Sequence, residues 1–362
     1  MVQRRVPARA SPVVSGVVTW ERWGAAMERA LYGPDGFYTS GTGAPGHDFR
    51  TSSTASPHFA RALLRLAAHV DAALDFPDPF TIVEVGAARG ALLAGLSKNL
   101  DTEARHLASR LRLVGVDLAP RPETLDAAVG WHGAVADVRL FDGLLVANEW
   151  LDNVPCDVVE QTAAYAAYVE VTATGDERVG DRVEPADQDW LDRWWPIADE
   201  GERAELGHTR DAAWVAAVSK LDRGIAVCVD YAHDQVKREA GLLPAGTLTG
   251  FREGRQVPPI PDGSCDITAH VALDSVAAAG HLVGVRETVL LDQRSALRAL
   301  GVTGARPEIA LASSDPPAYL RALGGAGEEA ELIARGGLGD FGWLVQGVGV
   351  GVPAVLARAA QP

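Results

Sequence analysis

The run Thr-Ile-Val-Glu-Val-Gly-Ala-Ala-Arg-Gly at residues 81–90 constrains the fold of this chain more than any other stretch. Its β-branched first half favours a buried parallel strand, and its two glycines favour a tight turn into the start of a helix. Such a unit brings the backbone close to a nucleotide-like ligand at the carboxyl end of a parallel sheet. The sequence therefore predicts an α/β fold with a ligand-binding turn at this position.

The residues of this turn restrict the kind of ligand. A dinucleotide-binding turn has the pattern G-x-G-x-x-G, whereas here Ala88 stands where a further glycine is usual. Glu84, two positions before Gly86, suits a cofactor that carries hydroxyl groups and a positive charge. S-adenosylmethionine (SAM) is such a cofactor, but any tight strand-to-helix turn is rich in glycine. The turn alone therefore leaves a SAM site and a purely structural turn open.

Two later apolar runs also end in an acid. Residues 111–116 predict a second strand followed by Asp117, and residues 134–137 predict a third strand that ends at Asp137. An acid at the end of the second strand commonly binds ribose hydroxyls, because ligands lie beyond the carboxyl ends of parallel strands. Asp117 fits that position, or else it caps a following helix. Asp137 suits the adenine amino group, or else it is an ordinary loop aspartate.

A fourth predicted strand, residues 141–149, ends in Asn148 and Glu149, and Asp152 follows closely. We expect these polar side chains to meet at the mouth of the sheet, where ligands of doubly wound proteins bind. Residues 224–231 predict a fifth strand of the same sheet. His270 is a candidate general base, although a single histidine beside threonine and aspartate is more often structural.

Helices and insertions are predicted around these strands. Thr19 is a candidate cap for a helix that reaches Leu31, and Ser56-Pro57 predicts the start of a second helix. Residues 176–205 contain eleven Asp or Glu and four Arg, so they predict a solvated insertion anchored by tryptophans. Recruitment of a basic partner is the alternative interpretation. Residues 232–262 predict a long excursion over the active face, of the kind used for lids and binding loops.

Composition limits the partners and the compartment. The formal net charge of -15 argues against nucleic acid as a partner, since nucleic-acid-binding proteins usually have a basic surface. The spacing of the three cysteines fits neither a disulfide framework nor a zinc site, so we expect no metal and a cytoplasmic location. No apolar run approaches the roughly 20 residues that a membrane-spanning helix needs.

Seven different short motifs occur along most of the chain in a specific order. They lie at residues 30–38, 48–52, 84–90, 147–155, 230–231, 246–248 and 266–271. Together they resemble the MidA-like class I SAM-dependent methyltransferases, a family that includes the mitochondrial complex I assembly factor that methylates an arginine. The chain departs from the family at Ala88 and Ala232, where glycine is usual, and at Ser53-Thr54, where proline followed by Glu or His is usual.

This resemblance implies an α/β fold, namely a Rossmann-like class I methyltransferase sheet with an N-terminal helical arm and an inserted cap region. The arm would comprise residues 1–76. The SAM-dependent methyltransferase domain would comprise residues 77–362, with insertions at about 172–208 and 232–285.

The resemblance also implies roles for individual side chains. Glu84 and its turn would cradle the amino-acid half of SAM, and Asp117 would hold the ribose. The residues expected to bind the cofactor are Glu84, Gly86, Ala88, Gly90, Asp117, Asp137, Asn148, Thr51 and Ser52. Those expected to act at the methyl acceptor are Glu149, Asn148, Asp152 and His270. Glu149 and Asp152 offer carboxylates of the sort that pair with the planar N–H fork of a guanidinium.

Three functions remain open at this point. The first is methyl transfer to a nucleophilic nitrogen or oxygen, which the resemblance makes a protein arginine side chain. The second is methylation of a small molecule or a peptide natural product, in which His270 would matter more as a base. The third is a non-catalytic assembly factor that keeps the fold and binds a partner through its insertion. The suitable residue types at the site favour catalysis, and the oligomeric state stays open.

Overall fold

A computed structural model describes residues 18–39 and 51–361 of the chain. Within these residues the α-helices are α1 (Trp23–Tyr32), α2 (Ser52–Ala55), α3 (Pro57–Ala73), α4 (Ala91–Glu103), α5 (Pro185–Trp194), α6 (His208–Val218), α7 (Gln235–Glu239), α8 (Leu273–Gly280), α9 (Gln293–Ala299), α10 (Ile309–Ser314), α11 (Pro316–Leu332) and α12 (Ala354–Ala359).

The β-strands of the same residues are β1 (Glu21–Arg22), β2 (Phe80–Val85), β3 (Leu111–Val116), β4 (Gly130–His132), β5 (Phe141–Asn148), β6 (Val158–Gln161), β7 (Ala166–Val171), β8 (Glu177–Arg182), β9 (Arg203–Glu205), β10 (Leu221–Asp230), β11 (Ala232–His233), β12 (Thr249–Arg252), β13 (Arg255–Val257), β14 (Asp266–Thr268), β15 (Val271–Ala272), β16 (Val285–Asp292) and β17 (Gly342–Val348).

The main sheet has the strand order β16-β17-β10-β5-β2-β3-β4. Its strands run parallel except for β17, which pairs antiparallel with both β10 and β16. The order reverses between β2 and β5, since the chain first adds β3 and β4 on one side of β2 and then adds β5 on the other. Loops diverge at such a switch point and leave a crevice at the carboxyl ends of the strands. The predicted α/β fold is confirmed.

Helices cover both faces of the main sheet. Apolar residues of α3, α4 and α9 share a core with one face, and residues of α6 and α8 share a core with the other. α3 begins as predicted, because Ser56 Oγ accepts the His58 N–H and Pro57 is the first helical residue. Its residues Phe59 and Leu63 are fully buried. The amphipathic spacing of α3 thus identified its packing face correctly.

A second sheet forms a cap beside the main sheet. Its strand order is β1-β7-β6-β9, with β8 paired to β7, and we call it the cap sheet. The acidic segment 176–205 supplies β8, α5 and β9 of this unit. Trp190 and Trp195 are buried in its core, while most of the carboxylates of the segment are exposed. This arrangement agrees with a solvated insertion anchored by tryptophans.

The predicted start of the first helix is wrong. α1 begins at Trp23 rather than after Thr19, and its N-cap residue, Arg22, makes no side-chain capping bond. The reason is that Glu21 and Arg22 are extended and pair antiparallel with β7 of the cap sheet. Tertiary pairing therefore overrides the local capping signal.

The predicted strand at residues 134–137 is also wrong. The strand that pairs with β3 is β4, which ends at His132 before the predicted strand would begin, and residues 135–137 form a 3-10 turn. The backbone N–H of Asp117 donates to His132 O at 3.1 Å, which continues the β3–β4 pairing. Asp137 consequently does not end a strand, and its side chain is exposed.

Some expectations fall outside the described residues, among them Asp48–Arg50 of the motif that ends at Ser52. Within residues 18–39 and 51–361, no helix is both long and apolar enough to cross a membrane. Across those same ranges, no group of His, Cys, Asp and Glu is arranged to hold a metal ion.

Candidate active site

The turn after β2 contains three left-handed residues at alternate positions. Gly86, Ala88 and Gly90 have φ angles of 73°, 45° and 69°. A Cβ on Gly86 would lie 2.8 Å from Trp150 Cδ1, so the close approach of the loop after β5 requires glycine. Ala88 adopts a conformation that is costly for a residue with a Cβ, and its N–H donates to Asp117 Oδ2 at 2.7 Å. The turn is therefore held against the ends of both neighbouring strands.

Glu84 and Asp117 form the acidic side of this turn. Asp117 accepts backbone N–H groups of Ala88 and Ala119, yet burial raises its pKa. Glu84 is only 4% exposed, and its pKa is raised well above the ordinary value by burial and then by the charge of Asp117. Glu84 Oε2 has no hydrogen-bond partner among the described residues. A ligand with an ammonium or hydroxyl donor would satisfy this oxygen.

Glu149 follows β5 with a left-handed φ of 51°. Its backbone N–H donates to Val229 O at 2.7 Å. Its carboxylate Oε1 accepts the Ser52 N–H at 2.8 Å and the Asn148 Nδ2–H at 3.1 Å. Burial outweighs these bonds and raises the pKa of Glu149 to about 8. A strained and half-buried acid at the switch point of the sheet is typical of a functional site.

Two further acids, Asp152 and Asp230, lie close enough to Glu149 and to each other for their charges to interact. Asp230 ends β10, is fully buried, and accepts the backbone N–H groups of Trp150, Leu151 and Asp152, the second at 2.9 Å. Burial and the charge of Asp152 raise the pKa of Asp230 well above its ordinary value. Burial also raises the pKa of Asp152 to about 6, although the Arg210 guanidinium opposes the shift. Asp230 thus positions the turn that carries Asp152.

Arg210 of α6 joins the loop after β5 to the segment around His270. Its guanidinium is buried and donates to the carbonyl oxygens of Asp152, Val154 and His270 at 3.1, 3.3 and 3.0 Å. The ring of His270 stacks on Tyr231 with centroids 5.8 Å apart. Burial, followed by the nearby cations, lowers the pKa of His270. The neutral imidazole is therefore favoured, and His270 stays a candidate base.

An aromatic and polar network lines the same region. The rings of Tyr32 and Tyr38 stack with centroids 5.7 Å apart. The Tyr38 hydroxyl lies 3.0 Å from Asp266 Oδ1 and 3.1 Å from Asn153 Oδ1, and Asn153 Nδ2 donates to Asp266 Oδ1 at 2.8 Å. Burial, and then the charges of Asp266 and Asp152, raise the pKa of Tyr32 well above its ordinary value. The network is thus electrostatically coupled to Asp152.

The structure brings most of the predicted site residues to one edge of the main sheet. The turn after β2 and the loop after β5 meet where Gly86 packs against Trp150. Ser52 contacts Glu149 rather than this turn, while the Thr51 side chain accepts the Thr54 N–H and caps α2. Asp137 lies apart from both groups in its exposed turn.

Asp230, Arg210 and Asn153 were not predicted as site residues. Asp230 ends β10 just as Asp117 follows β3, so the rule that found Asp117 could have found it. Arg210 and Asn153 act through contacts with residues 56 or more positions away. Such contacts leave no local signal in the sequence.

Comparison with known proteins decides the family. Residues 60–289 match the family profile described as "Putative S-adenosyl-L-methionine-dependent methyltransferase". The chain belongs to this family. The expected cofactor is therefore SAM, as the motif resemblance implied. No curated protein sequence matches the methyltransferase.

Two crystal structures from Burkholderia thailandensis are similar to the methyltransferase over nearly its whole length. One is a COG1565 superfamily member bound to S-adenosyl-homocysteine, with 27% identity, a TM-score of 0.77, and coverage of 94% of this chain and 92% of that one. The other is a native structure of an uncharacterized COG1565 superfamily protein, with 28% identity, a TM-score of 0.75, and coverage of 94% and 91%.

The residues present fit this cofactor. Among the described residues, the buried side-chain oxygens without a partner include Glu84 Oε2, Asn148 Oδ1 and Asp152 Oδ1. Carboxylate and amide oxygens accept hydrogen bonds, and SAM presents an ammonium group and ribose hydroxyls as donors. The unpaired acceptors at the switch point and the donors of the cofactor are thus complementary.

Proposed function

We propose that the methyltransferase acts on a nitrogen of a cationic acceptor, and that a protein arginine side chain is the leading candidate. The observation that carries this proposal is the cluster of buried acids around Glu149. Burial first, and then the charges of Asp152 and Asp266, raise the pKa of Glu149. Carboxylates that raise one another's pKa in a buried site favour a cationic ligand, which relieves their repulsion.

Aromatic side chains support the same acceptor class. Tyr32 and Tyr38 stack beside Asp266, and Tyr231 lies close enough to Glu149 and Asp152 for their charges, after burial, to raise its pKa. Ring faces attract cations, and a planar guanidinium can stack on them while its N–H groups reach carboxylates. An alcohol acceptor is neutral, so the negative charge of these carboxylates would not stabilise its binding.

On the cofactor side, Glu84 and Asn148 are assigned from their unpaired oxygens, and Asp117 from its position directly after β3. Glu84 would hold the ammonium group of SAM, Asp117 the ribose hydroxyls, and Asn148 a further donor. When bound, SAM would supply a methyl group on a sulfonium, and the acceptor nitrogen lone pair would attack the methyl carbon in line as the carbon–sulfur bond breaks and S-adenosyl-homocysteine leaves. The chain's main task is then to orient the acceptor and to exclude water.

Glu149 and Asp152 would orient the acceptor nitrogen. A guanidinium can donate two parallel N–H bonds to a carboxylate, which fixes its plane. As the carbon–nitrogen bond forms, the nitrogen must lose a proton, and Glu149 would accept it and release it to solvent. A pKa of about 8 suits this acid to exchange a proton near neutral pH. Asp230 and Arg210 act indirectly, by holding the backbone that carries Asp152.

The test is Glu149→Gln. Glutamine keeps an oxygen for the Ser52 N–H but removes the negative charge, so we expect turnover to fall roughly a hundredfold, as for one lost electrostatic contact, with S-adenosyl-homocysteine affinity little changed. Methyl-labelled SAM is incubated with the protein and a reduced extract of the source cells, and label is counted in proteins and in small molecules. Asp181→Asn, an exposed acid of β8, is the matched control. Unchanged turnover in Glu149→Gln would remove Glu149 from the mechanism.

The same experiment separates the competing functions. Label in a discrete protein band supports protein methylation, and the modified residue can be mapped by mass spectrometry. Label confined to small molecules would make the protein a metabolite or peptide natural-product methyltransferase. No label despite cofactor binding would favour an assembly factor.

The cysteines are buried free thiols, which supports a reducing compartment such as the cytoplasm.

A further inference from the structure

A cavity of about 250 Å³ lies between the cap sheet and two loops. One loop precedes β12 and the other follows β13. We call it the cap cavity. None of the residues that line it belongs to the cofactor turn or to the loop after β5. Its wall is apolar where it is formed by Trp23, Val158, Leu248, Pro258, Pro259 and Ile260, and polar where Glu177, Arg203 and Glu205 line it.

The cap cavity lies next to the acceptor side of the active site. Thr247 Oγ accepts the backbone N–H of His270 at 2.9 Å. Leu248 lines the cavity, and the next residue, Thr249, pairs with Thr268 of β14. β14 begins at Asp266, which contacts Tyr38. A single short segment, residues 247–249, therefore joins the cavity wall to the polar network at the methyl acceptor.

One side of the cavity wall contains a salt bridge in which two carboxylates share one guanidinium. Glu177 Oε1 accepts the Trp23 indole N–H at 2.7 Å, and its Oε2 accepts from Arg203 Nη1 at 2.7 Å. Arg203 Nε also donates to Glu160 Oε2 at 2.8 Å. One guanidinium is thus shared by two carboxylates, so this side of the cavity carries a net negative charge.

Glu205 provides a second carboxylate, and it is 2% exposed. Its Oε1 accepts the backbone N–H groups of Thr247 and Leu248 at 2.7 and 3.0 Å, and its Oε2 accepts the Thr247 hydroxyl at 3.0 Å. Burial raises the pKa of Glu205, and these hydrogen bonds and the Arg210 guanidinium oppose that shift. A Cβ on Gly246 would lie 2.4 Å from Oε1, so the turn closes tightly around this carboxylate. The residues that line the cavity thus include two carboxylates, Glu177 and Glu205, and one guanidinium, Arg203.

We propose that the cap cavity binds one basic side chain of the acceptor protein, close to the residue that is methylated. The aliphatic stem of a lysine or arginine would pack on the apolar wall, as such stems commonly do, and its cationic head would lie between Glu177 and Glu205. The volume is below the roughly 300–1,000 Å³ of most small-molecule pockets, so it suits a single side chain. This inference rests on the proposed protein acceptor.

Direct binding of a model side chain tests the proposal. The probe is Nα-acetyl-L-lysine N-methylamide, and Nα-acetyl-L-norleucine N-methylamide is its uncharged counterpart. Both are titrated into full-length ¹⁵N-labelled protein saturated with S-adenosyl-homocysteine. The signal followed is the indole N–H of Trp23, assigned with Trp23→Phe. We expect the lysine probe to shift this signal saturably and the norleucine probe to leave it in place.

Variants then locate the binding site. Glu205→Gln should weaken binding of the lysine probe about tenfold, the fold-change expected for a lost hydrogen bond to a charged group. Because Glu205 is buried and this variant can fail to fold, Ala245→Trp provides a second test by filling the cavity from an exposed rim position. Glu170→Gln removes a cap-sheet carboxylate that pairs with Arg178 outside the cavity, so it should bind the probe normally. Equal shifts by both probes, or unchanged binding in Ala245→Trp, would overturn the proposal.

This titration is independent of methyl transfer. If the lysine probe binds but no protein is labelled by methyl-labelled SAM, the cavity assignment stands and the proposed protein acceptor fails. If proteins are labelled but the probe does not bind, the cavity assignment fails and the proposed function stands. If both hold, Ala245→Trp should raise the KM for the protein acceptor without changing kcat.

Discussion

Gly86→Ala should separate the two roles of the glycine in the cofactor turn. Alanine at a φ of 73° costs roughly 1–2 kcal/mol for the left-handed backbone. Its Cβ would also lie 2.8, 2.9 and 3.0 Å from Trp150 Cδ1, Cβ and Cγ, and forcing such a contact apart costs about 1–3 kcal/mol. The free energy of unfolding should therefore fall by about 2–5 kcal/mol, the sum of these two ranges.

Two other glycines provide matched controls. Gly201 has a φ of 88°, but a Cβ there would meet no described atom within 4 Å, so Gly201→Ala should show the backbone cost alone, roughly 1–2 kcal/mol. Gly133 has no left-handed φ and likewise meets no described atom within 4 Å, so Gly133→Ala should be nearly neutral. The difference between Gly86→Ala and Gly201→Ala then isolates the contact with Trp150.

The measurements are urea unfolding and calorimetric titration with S-adenosyl-homocysteine. Because displacement of Trp150 moves the adjacent Asn148 and Glu149, we expect Gly86→Ala to weaken this ligand at least tenfold. Neither control should change its affinity. If Gly86→Ala loses no more stability than Gly201→Ala and binds the ligand normally, the close packing of the turn on Trp150 has no role in forming the site.

The remaining predictions concern Ala88 and Glu149. Ala88→Gly removes the cost of a left-handed alanine but adds unfolded-state entropy. It should therefore change the free energy of unfolding by less than about 1 kcal/mol and raise the affinity for S-adenosyl-homocysteine a few-fold in calorimetry. Weaker binding would show that the methyl group of Ala88 supports the turn. The folded-state pKa of Glu149 is raised from 4.5 to about 8, so the folded protein binds the extra proton and this contribution to stability is lost as pH rises through that window. Unfolding measured from pH 5 to pH 8 should show a shallower decline in Glu149→Gln than in the native protein. The rate of methyl transfer should rise with pH as Glu149 ionises, up to about pH 8, and a pH–rate profile without that rise would exclude ionised Glu149 as the base.

Local patterns predicted the core of the site because its chemistry follows strands and turns. Residues 81–90 encode their own strand, turn and helix start, and the rule that ligands lie beyond strand ends located Asp117 and Glu149. The same rule failed at Asp137, because the short apolar run before it was assigned to a strand. The edge of the sheet is instead formed by β4, a three-residue strand with little periodicity.

Contacts between distant segments could not be predicted from single motifs. The α1 start depends on pairing with β7, and the Tyr38 network joins residues 115 and 228 positions apart. The resemblance identified the short pieces around Tyr38 and Asp266 without giving the reason for them. These segments contact one another only when the cap sheet and β14 are folded against the loop after β5.

The way Glu149 is held also bears on when the protein can begin to work. The Ser52–Glu149 hydrogen bond joins residues 97 positions apart, and Ser52 in turn bonds to Gln293, 241 positions away. Gln293 accepts the indole N–H of Trp343, which lies on β17 between β10 and β16. Domains fold as units during synthesis only once their elements have left the ribosome. We therefore expect that a nascent chain cannot assemble the support of this carboxylate until nearly all of the chain has been translated, and that a premature stop before β17 gives an inactive protein.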